Sequence, residues 1–289
     1  MTEENPKRGV RGLFVDLTPL RVSPAFAKLW ISNSVAQIGA MLTLVAVGLH
    51  IYALTGSTLA VSLVSVWSLG PMIIAGLAGG TLADSFDRRK VAIVTAIVAW
   101  VSIGAMTTIA FAGVTATWPY YALAALNAAS ATIMGTARGA IVPRLLPKHL
   151  LPAASALSGI TMGVAISVGP ALAGVLVAAF GVPWTFLLDV LLFTVGFLGL
   201  VSLPPVPPIR NAEERADDGK ARSPFTRIVR ATFVPIGESM SFLRRAPNVR
   251  STFVFDIIAM TLGQPRVVFP AAGALVLGGG AVTVGVLTA

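Results

Sequence analysis

Six stretches long enough to cross a bilayer follow one another between Leu29 and Leu203, and almost all Lys and Arg are confined to alternate gaps between them. About 20 predominantly apolar residues cross the hydrocarbon core as a helix, because a backbone in lipid must satisfy its own hydrogen bonds. The pattern predicts spans at 29 to 54, 59 to 83, 91 to 113, 119 to 142, 152 to 180 and 184 to 203, with a seventh from about Ser251 to Leu275. An all-α, polytopic membrane helix bundle is the expected fold class.

The bases set the expected orientation. Lys7, Arg8, Arg11, Arg21 and Lys28 precede span one; Arg88, Arg89 and Lys90 follow span two; Arg144 and Lys148 follow span four, with Arg138 just inside it. The gaps at 55 to 58, 114 to 118 and 181 to 183 carry neither Lys nor Arg. Positive charge is retained on the cytoplasmic side, which predicts a cytoplasmic N-terminus in a cell (inner) membrane protein. Mean hydropathy is +0.84 and charged residues make up 11%, against roughly a quarter in soluble domains. The net charge of +9 therefore reads as topogenic, and no nucleic-acid partner is expected. With no cysteine, and His50 and His149 far apart, no metal site or disulfide is expected. The first apolar stretch is too long for a signal core and lacks a small-residue cleavage pattern, so it is expected to stay as a span.

Composition divides the chain into a tail at 1 to 28, a six-span half at 29 to 203, a linker at 204 to 250 and a further membrane segment from 251 to 289. Pro204, Pro205, Pro207 and Pro208 end the sixth helix, and the run from Glu213 to Lys220 is too polar to bury. From Phe225 to Leu243 apolar residues recur at three- and four-residue spacing among arginines, as in a helix lying on a leaflet surface, with Pro235 expected to kink it. The residues from Gly278 to Ala289 read as the approach to an eighth span.

Between spans two and three the chain reads Gly80-Thr-Leu-Ala-Asp84-Ser-Phe-Asp87-Arg88-Arg89-Lys90. This resembles the signature loop G-x-x-x-D-R-x-G-R-R-[KR] of the major facilitator superfamily, with Ser85 and Asp87 replacing the usual Arg and Gly. The layout of six spans, a long linker and a new span is similar to that superfamily too. The resemblance implies the major facilitator fold, here the N-terminal six-helix half plus helix seven and the start of helix eight. It also implies a conformational latch formed by Gly80, Asp84, Arg88 and Arg89. Gly80 would allow close helix approach, and Asp84, at the negative end of a helix dipole, would need a cation such as Arg88. The run Gly163 to Gly174 in span five, with Gly169, Pro170 and Gly174, resembles the Gly-Pro motif of proton-coupled exporters, although Ala165 and Ala173 stand where Gly is usual. A proline inside a span frees a carbonyl, and small neighbours permit close, movable contact.

The resemblance is strongest to the enterobactin-exporter-like branch of drug and siderophore exporters. Ser23-Pro24-Ala25-Phe26, Ser202-Leu203-Pro204-Pro205 and Pro265-Arg266-Val-Val-Phe269-Pro270 carry it besides the two motifs. That branch has twelve spans, so this chain is expected to lack most of the second half and to be a monomer at full length. The expected function is proton-coupled export of a siderophore or hydrophobic small molecule. The alternatives are multidrug or macrolide efflux, or a remnant that does not transport.

Polar residues inside spans are the candidate site, since a charge in lipid needs a cavity or a partner. Asp189 in span six and Asp256 in span seven are candidates for proton coupling. Asn33 and Gln37, one turn apart in span one, Asn127 in span four, and Arg266 are candidates for the substrate cavity. Arg138 and Arg144 are expected to anchor to lipid phosphates, with a salt bridge to the acids of the signature loop as the alternative. No G-x-S-x-G, Walker, H-E-x-x-H or G-x-G-x-x-G pattern occurs, so no enzymatic activity and no cofactor is expected, and transport would draw on an ion gradient.

Overall fold

A computed structural model describes residues 16–203, 245–262, 268–278 and 280–288. Its helices are α1 (Thr18–Val22), α2 (Pro24–Thr55), α3 (Thr58–Ser85), α4 (Arg88–Phe111), α5 (Trp118–Leu145), α6 (Leu151–Phe180), α7 (Val182–Val201), α8 (Pro247–Leu262), α9 (Phe269–Ala271, continuing as a π turn to Val276) and α10 (Ala281–Thr288). No strand occurs among the described residues. The linker with its surface segment, 204 to 244, and Arg266 lie outside the described residues, as does the side chain of Asp84.

The six expected spans are α2 to α7, and local chemistry sets their ends. Ser23 caps α2, its hydroxyl accepting from the Phe26 amide at 3.2 Å, with Pro24 in the first turn. The helix therefore starts five residues before the expected span, since Lys28 ends the apolar stretch without ending the helix. Two turns at one end of the bundle close on glycines in backbone conformations that side chains rarely adopt: Gly56, whose N–H bonds the Tyr52 carbonyl at 2.8 Å, and Gly181. Among the described residues five helices are long and apolar enough to cross a membrane: α2, α3, α4, the helix ending at Phe180, and α7. The expected span 119 to 142 differs. It forms the 28-residue α5, long enough to span but less apolar, because one face carries Asn127, Ser130 and Arg138 into the bundle.

Space neighbours run in the order α3, α5, α4, α7, α2, α6, with α10 laid against α6. Sequence neighbours α2 and α3, joined by only Gly56 and Ser57, touch little, so the chain interleaves its two groups of three helices. The core follows the helical period. On α4, Ala92, Ala96, Ala99, Ile103, Met106 and Ala110 recur at four- and three-residue steps and are all buried, whereas Val94, Ile97, Trp100 and Val101 on the other face are exposed. An outer face of large apolar residues and an inner face of small ones is what a helix in lipid requires.

A tight seam joins α2 to α7. A Cβ built at Gly196 would lie 2.8 Å from the Ala36 Cβ and 3.0 Å from the Ser32 carbonyl, and one at Gly199 would run into the Ser32 side chain. The expected seventh span is described in part. Its first half is α8, whose described side chains are exposed.

Gly196→Leu should push α2 and α7 apart and destabilise the protein by about 1–3 kcal/mol, the usual cost of overpacking. Gly104→Ala, where a Cβ would meet nothing within 4 Å, should leave thermal unfolding in detergent unchanged or raise it slightly. Equal melting temperatures for Gly196→Leu and the unaltered protein would show that the seam is loose.

Candidate functional site

One face of α2 builds one wall of a cavity that carries several polar groups. Asn33, Gln37, Ala40 and Thr43 follow one another at helical spacing and line a cavity of ≈ 360 Å3. Opposite them α5 contributes Asn127, Ala131, Gly135, Arg138 and Gly139; α6 adds Ser158, and α7 adds Asp189 and Phe193. At the end of the signature loop Phe26, Trp30 and Val142 form its floor, packed on Leu146 and Leu150.

Two ionisable groups sit in this wall at different depths. Asp189 is fully buried; its Oδ2 accepts from the Thr43 hydroxyl at 2.5 Å, and its Oδ1 has no hydrogen-bond partner among the described residues. Gly39 makes room for it: a Cβ there would collide with the carboxylate. Gly39 and Thr43 are one turn apart, so one position supplies the space and the next the donor. Arg138, 8% exposed, donates from Nη1 to Asn33 Oδ1 at 2.6 Å.

Sequence reasoning located Asn33, Gln37, Asn127 and Asp189, and the structure brings all four to one cavity. Asn127 serves packing as well, its Nδ2 donating to the Ala99 carbonyl at 3.4 Å. Gln37 contacts the Met162 sulfur at 3.3 Å. Asp256 stands elsewhere, exposed on α8. The expectation that Arg138 anchors to lipid phosphates is corrected: it points inward. The signal was present, because Asn127 and Arg138 are 11 residues apart, about three turns, and so share a face. Thr43 gave no such signal, since its partner lies 146 positions away.

The signature loop is a turn between α3 and α4. Asp87, where the superfamily pattern has Gly, caps α4: its Oδ1 accepts from the Arg89 amide at 2.9 Å. Arg89 Nη2 donates to the Val201 carbonyl at 2.6 Å, and Arg88 Nη1 to the Ala140 carbonyl at 3.4 Å. Both arginines thus reach carbonyls near the C-terminal ends of neighbouring helices, where the dipole favours a cation. The close approach expected at Gly80 falls one residue earlier. A Cβ at Gly79 would lie 3.3 Å from Thr136 Oγ1, whereas one at Gly80 would meet nothing within 4 Å among the described residues.

In the Gly-Pro run, Gly169 faces Met41 of α2 and Gly174 faces α10. A Cβ built at Gly174 would lie 2.9 Å from the Gly285 Cα, and one at Gly285 would lie 2.7 Å from the Pro170 carbonyl oxygen. Ala165 and Ala173 are wholly buried, so methyl groups fit where glycine was expected.

A six-helix membrane bundle with a polar cavity, a basic inter-helix loop and a glycine-proline helix defines a transporter-type fold. The chain belongs to the transmembrane secretion effector family, within the major facilitator superfamily: that family matches residues 15–218. The enterobactin exporter EntS of Salmonella typhimurium is 29% identical to it over 196 residues, which cover 67% of this chain and 47% of the relative. EntS of Shigella boydii serotype 18 is 28% identical over 194 residues, and that of Escherichia coli O1:K1 / APEC 27% over 194 residues, with the same shares covered. The chain spans about half the length of the curated relatives it matches.

Gly174→Leu should lift α10 from α6. Amide exchange over 281–288 should accelerate on the order of tenfold while α4 stays protected. Unchanged exchange would mean that the glycine crossing does not hold α10.

Proposed function

We propose that the protein is a proton-coupled exporter of a siderophore or another hydrophobic small molecule, working by alternating access. The observation that carries this reading is the pair of buried ionisable side chains, Asp189 and Arg138, in the wall of a cavity inside an apolar bundle. Charged groups there are costly and mark substrate or ion paths. The EntS relatives are named as enterobactin exporters, which supports a siderophore as cargo.

Asp189 is the proton carrier in this proposal. A carboxylate held by one hydroxyl, with its second oxygen unpartnered among the described residues, gains a donor of its own when it takes up a proton. Asn33, Gln37 and Asn127 offer amide groups to cargo. The signature loop, with Asp84, Arg88 and Arg89, holds the helix ends on the cytoplasmic side in one of two states. Gly169, Pro170 and Gly174 let α6 move against its neighbours, as one repeat rocks against another in alternating access. Asp256 and Arg266 stay secondary candidates for coupling and cargo contact. In this proposal the N-terminus lies in the cytoplasm, as the distribution of Lys and Arg supports.

Cells that make a siderophore should retain it when the gene is deleted and release it when the full-length gene is restored, with release abolished by a protonophore. Asp189→Asn in normally inserted protein should lower release to the level of the deletion strain. Release by Asp189→Asn equal to that of the unaltered protein would remove Asp189 from the mechanism. Retention unaffected by the gene would remove siderophores as cargo.

Orientation has its own check, since the chain contains no cysteine. Thr115→Cys, in the turn between α4 and α5, should react with an impermeant maleimide on intact cells, and Phe86→Cys only after permeabilisation. The opposite labelling pattern would invert the topology.

A further inference from the structure

Arg138 is a cation in the cavity wall with one edge engaged and the other unused. Nη1 is bonded to Asn33, while Nε and Nη2 are buried and have no hydrogen-bond partner among the described residues. Nε and Nη2 carry the parallel N–H groups on one side of the guanidinium, the edge that matches the two oxygens of a carboxylate. Leaving such donors unfilled in a dry interior is unfavourable, and an anion supplies both missing bonds and the missing charge. Among the described residues the only carboxylate in the cavity wall is Asp189. Its partner Thr43 lies ten residues beyond Asn33 on α2, about 15 Å along the helix axis. The Arg138 edge is covered in this state, so docking takes a turn of the side chain toward the cavity. Gly135 and Gly139 flank it on α5 and leave open space there, since a Cβ at either would meet nothing within 4 Å.

A second cavity, of ≈ 380 Å3, adjoins the first and shares Ala40, Thr43 and Asn127 with it. Its other walls are mostly apolar, with Leu44, Val47, Leu69, Met72 and Met106 from α2, α3 and α4. The chamber that holds Arg138 thus opens past Asn127 onto a mostly apolar one.

We infer that the cargo is an amphipathic anion, with a carboxylate or similar two-oxygen group on Arg138 and an apolar body in the second cavity. This rests on the reading of the cavity as a transport site. Arg138 then selects for charge and the second cavity for bulk.

The test uses the full chain in lipid nanodiscs, with 2-naphthoate and its neutral amide as probes and empty nanodiscs subtracted. At low ionic strength naphthoate should bind about tenfold more tightly than naphthamide. Arg138→Gln should bring the two within about twofold of each other by weakening naphthoate alone, and Arg138→Lys, which keeps the charge without the fork, should fall between. Ser65→Phe, in the wall of the second cavity, should weaken dodecanoate, which is long enough to reach from Arg138 past Asn127, about 16 Å along α5, and leave the shorter naphthoate unchanged. Equal affinities in the unaltered protein, or an Arg138→Gln variant that weakens both naphthyl probes alike, would overturn the anion site; unchanged dodecanoate affinity in Ser65→Phe would remove the second cavity from it. If Arg138→Gln does not yield folded protein, the unaltered ratio and Arg138→Lys decide. Binding is read without transport. Naphthoate preference in a protein that exports nothing leaves the anion site standing and sinks the exporter reading; siderophore release without naphthoate preference does the reverse.

Discussion

Lipid offers no hydrogen bonds, and nearly everything in this bundle follows from the need to make them internally. The backbone answers with helices. The side chains answer in the same way: Ser62 donates to the Thr58 carbonyl, Ser68 to Val64, Ser102 to Val98 and Thr107 to Ile103, each four residues back on its own helix. Such hydroxyls are silent, because they ask nothing of a neighbouring helix. Thr43 instead donates across to the buried carboxylate of Asp189. Bonds from Trp100 to Thr194 and from Tyr121 to the Ala60 carbonyl also tie helices together, but the buried ionisable groups Asp189 and Arg138 collect in the cavity.

Helices can meet closely here because small residues lie wherever two of them cross. The α2–α7 seam, the alanine stripe of α4 and the meeting of Gly174 with Gly285 rest on the same device. Close backbone approach replaces the hydrophobic drive that soluble helices use, which lipid does not supply. It also explains why Gly39 belongs to the site although it carries no chemistry. Remove the space it leaves and Asp189 has nowhere to sit beside Thr43.

The spans could be read from the chain because length and charge placement are properties of contiguous sequence. Which helix faces which is not, and so α5 looked like one more span when it is the least apolar of the six and carries the cavity's cation. The distance of Arg138 from the helix end suits an interfacial anchor, but its angle, shared with Asn127, turns it into the bundle. The pairing of Thr43 with Asp189 depends on α2 and α7 packing side by side, which no local pattern announces. Asp87 looked like a loss from the signature loop. The fold gives it the work of a helix cap.

The 32 residues of α2 make it about 48 Å long, whereas the hydrocarbon core is about 30 Å thick and the whole bilayer about 40–45 Å. At the common tilt of about 20° it spans about 45 Å along the membrane normal. Its ends therefore rest in both headgroup layers. Asn33, Gln37 and Thr43 ride on this helix, so one wall of the cavity is carried by an element whose two ends are held in opposite headgroup layers.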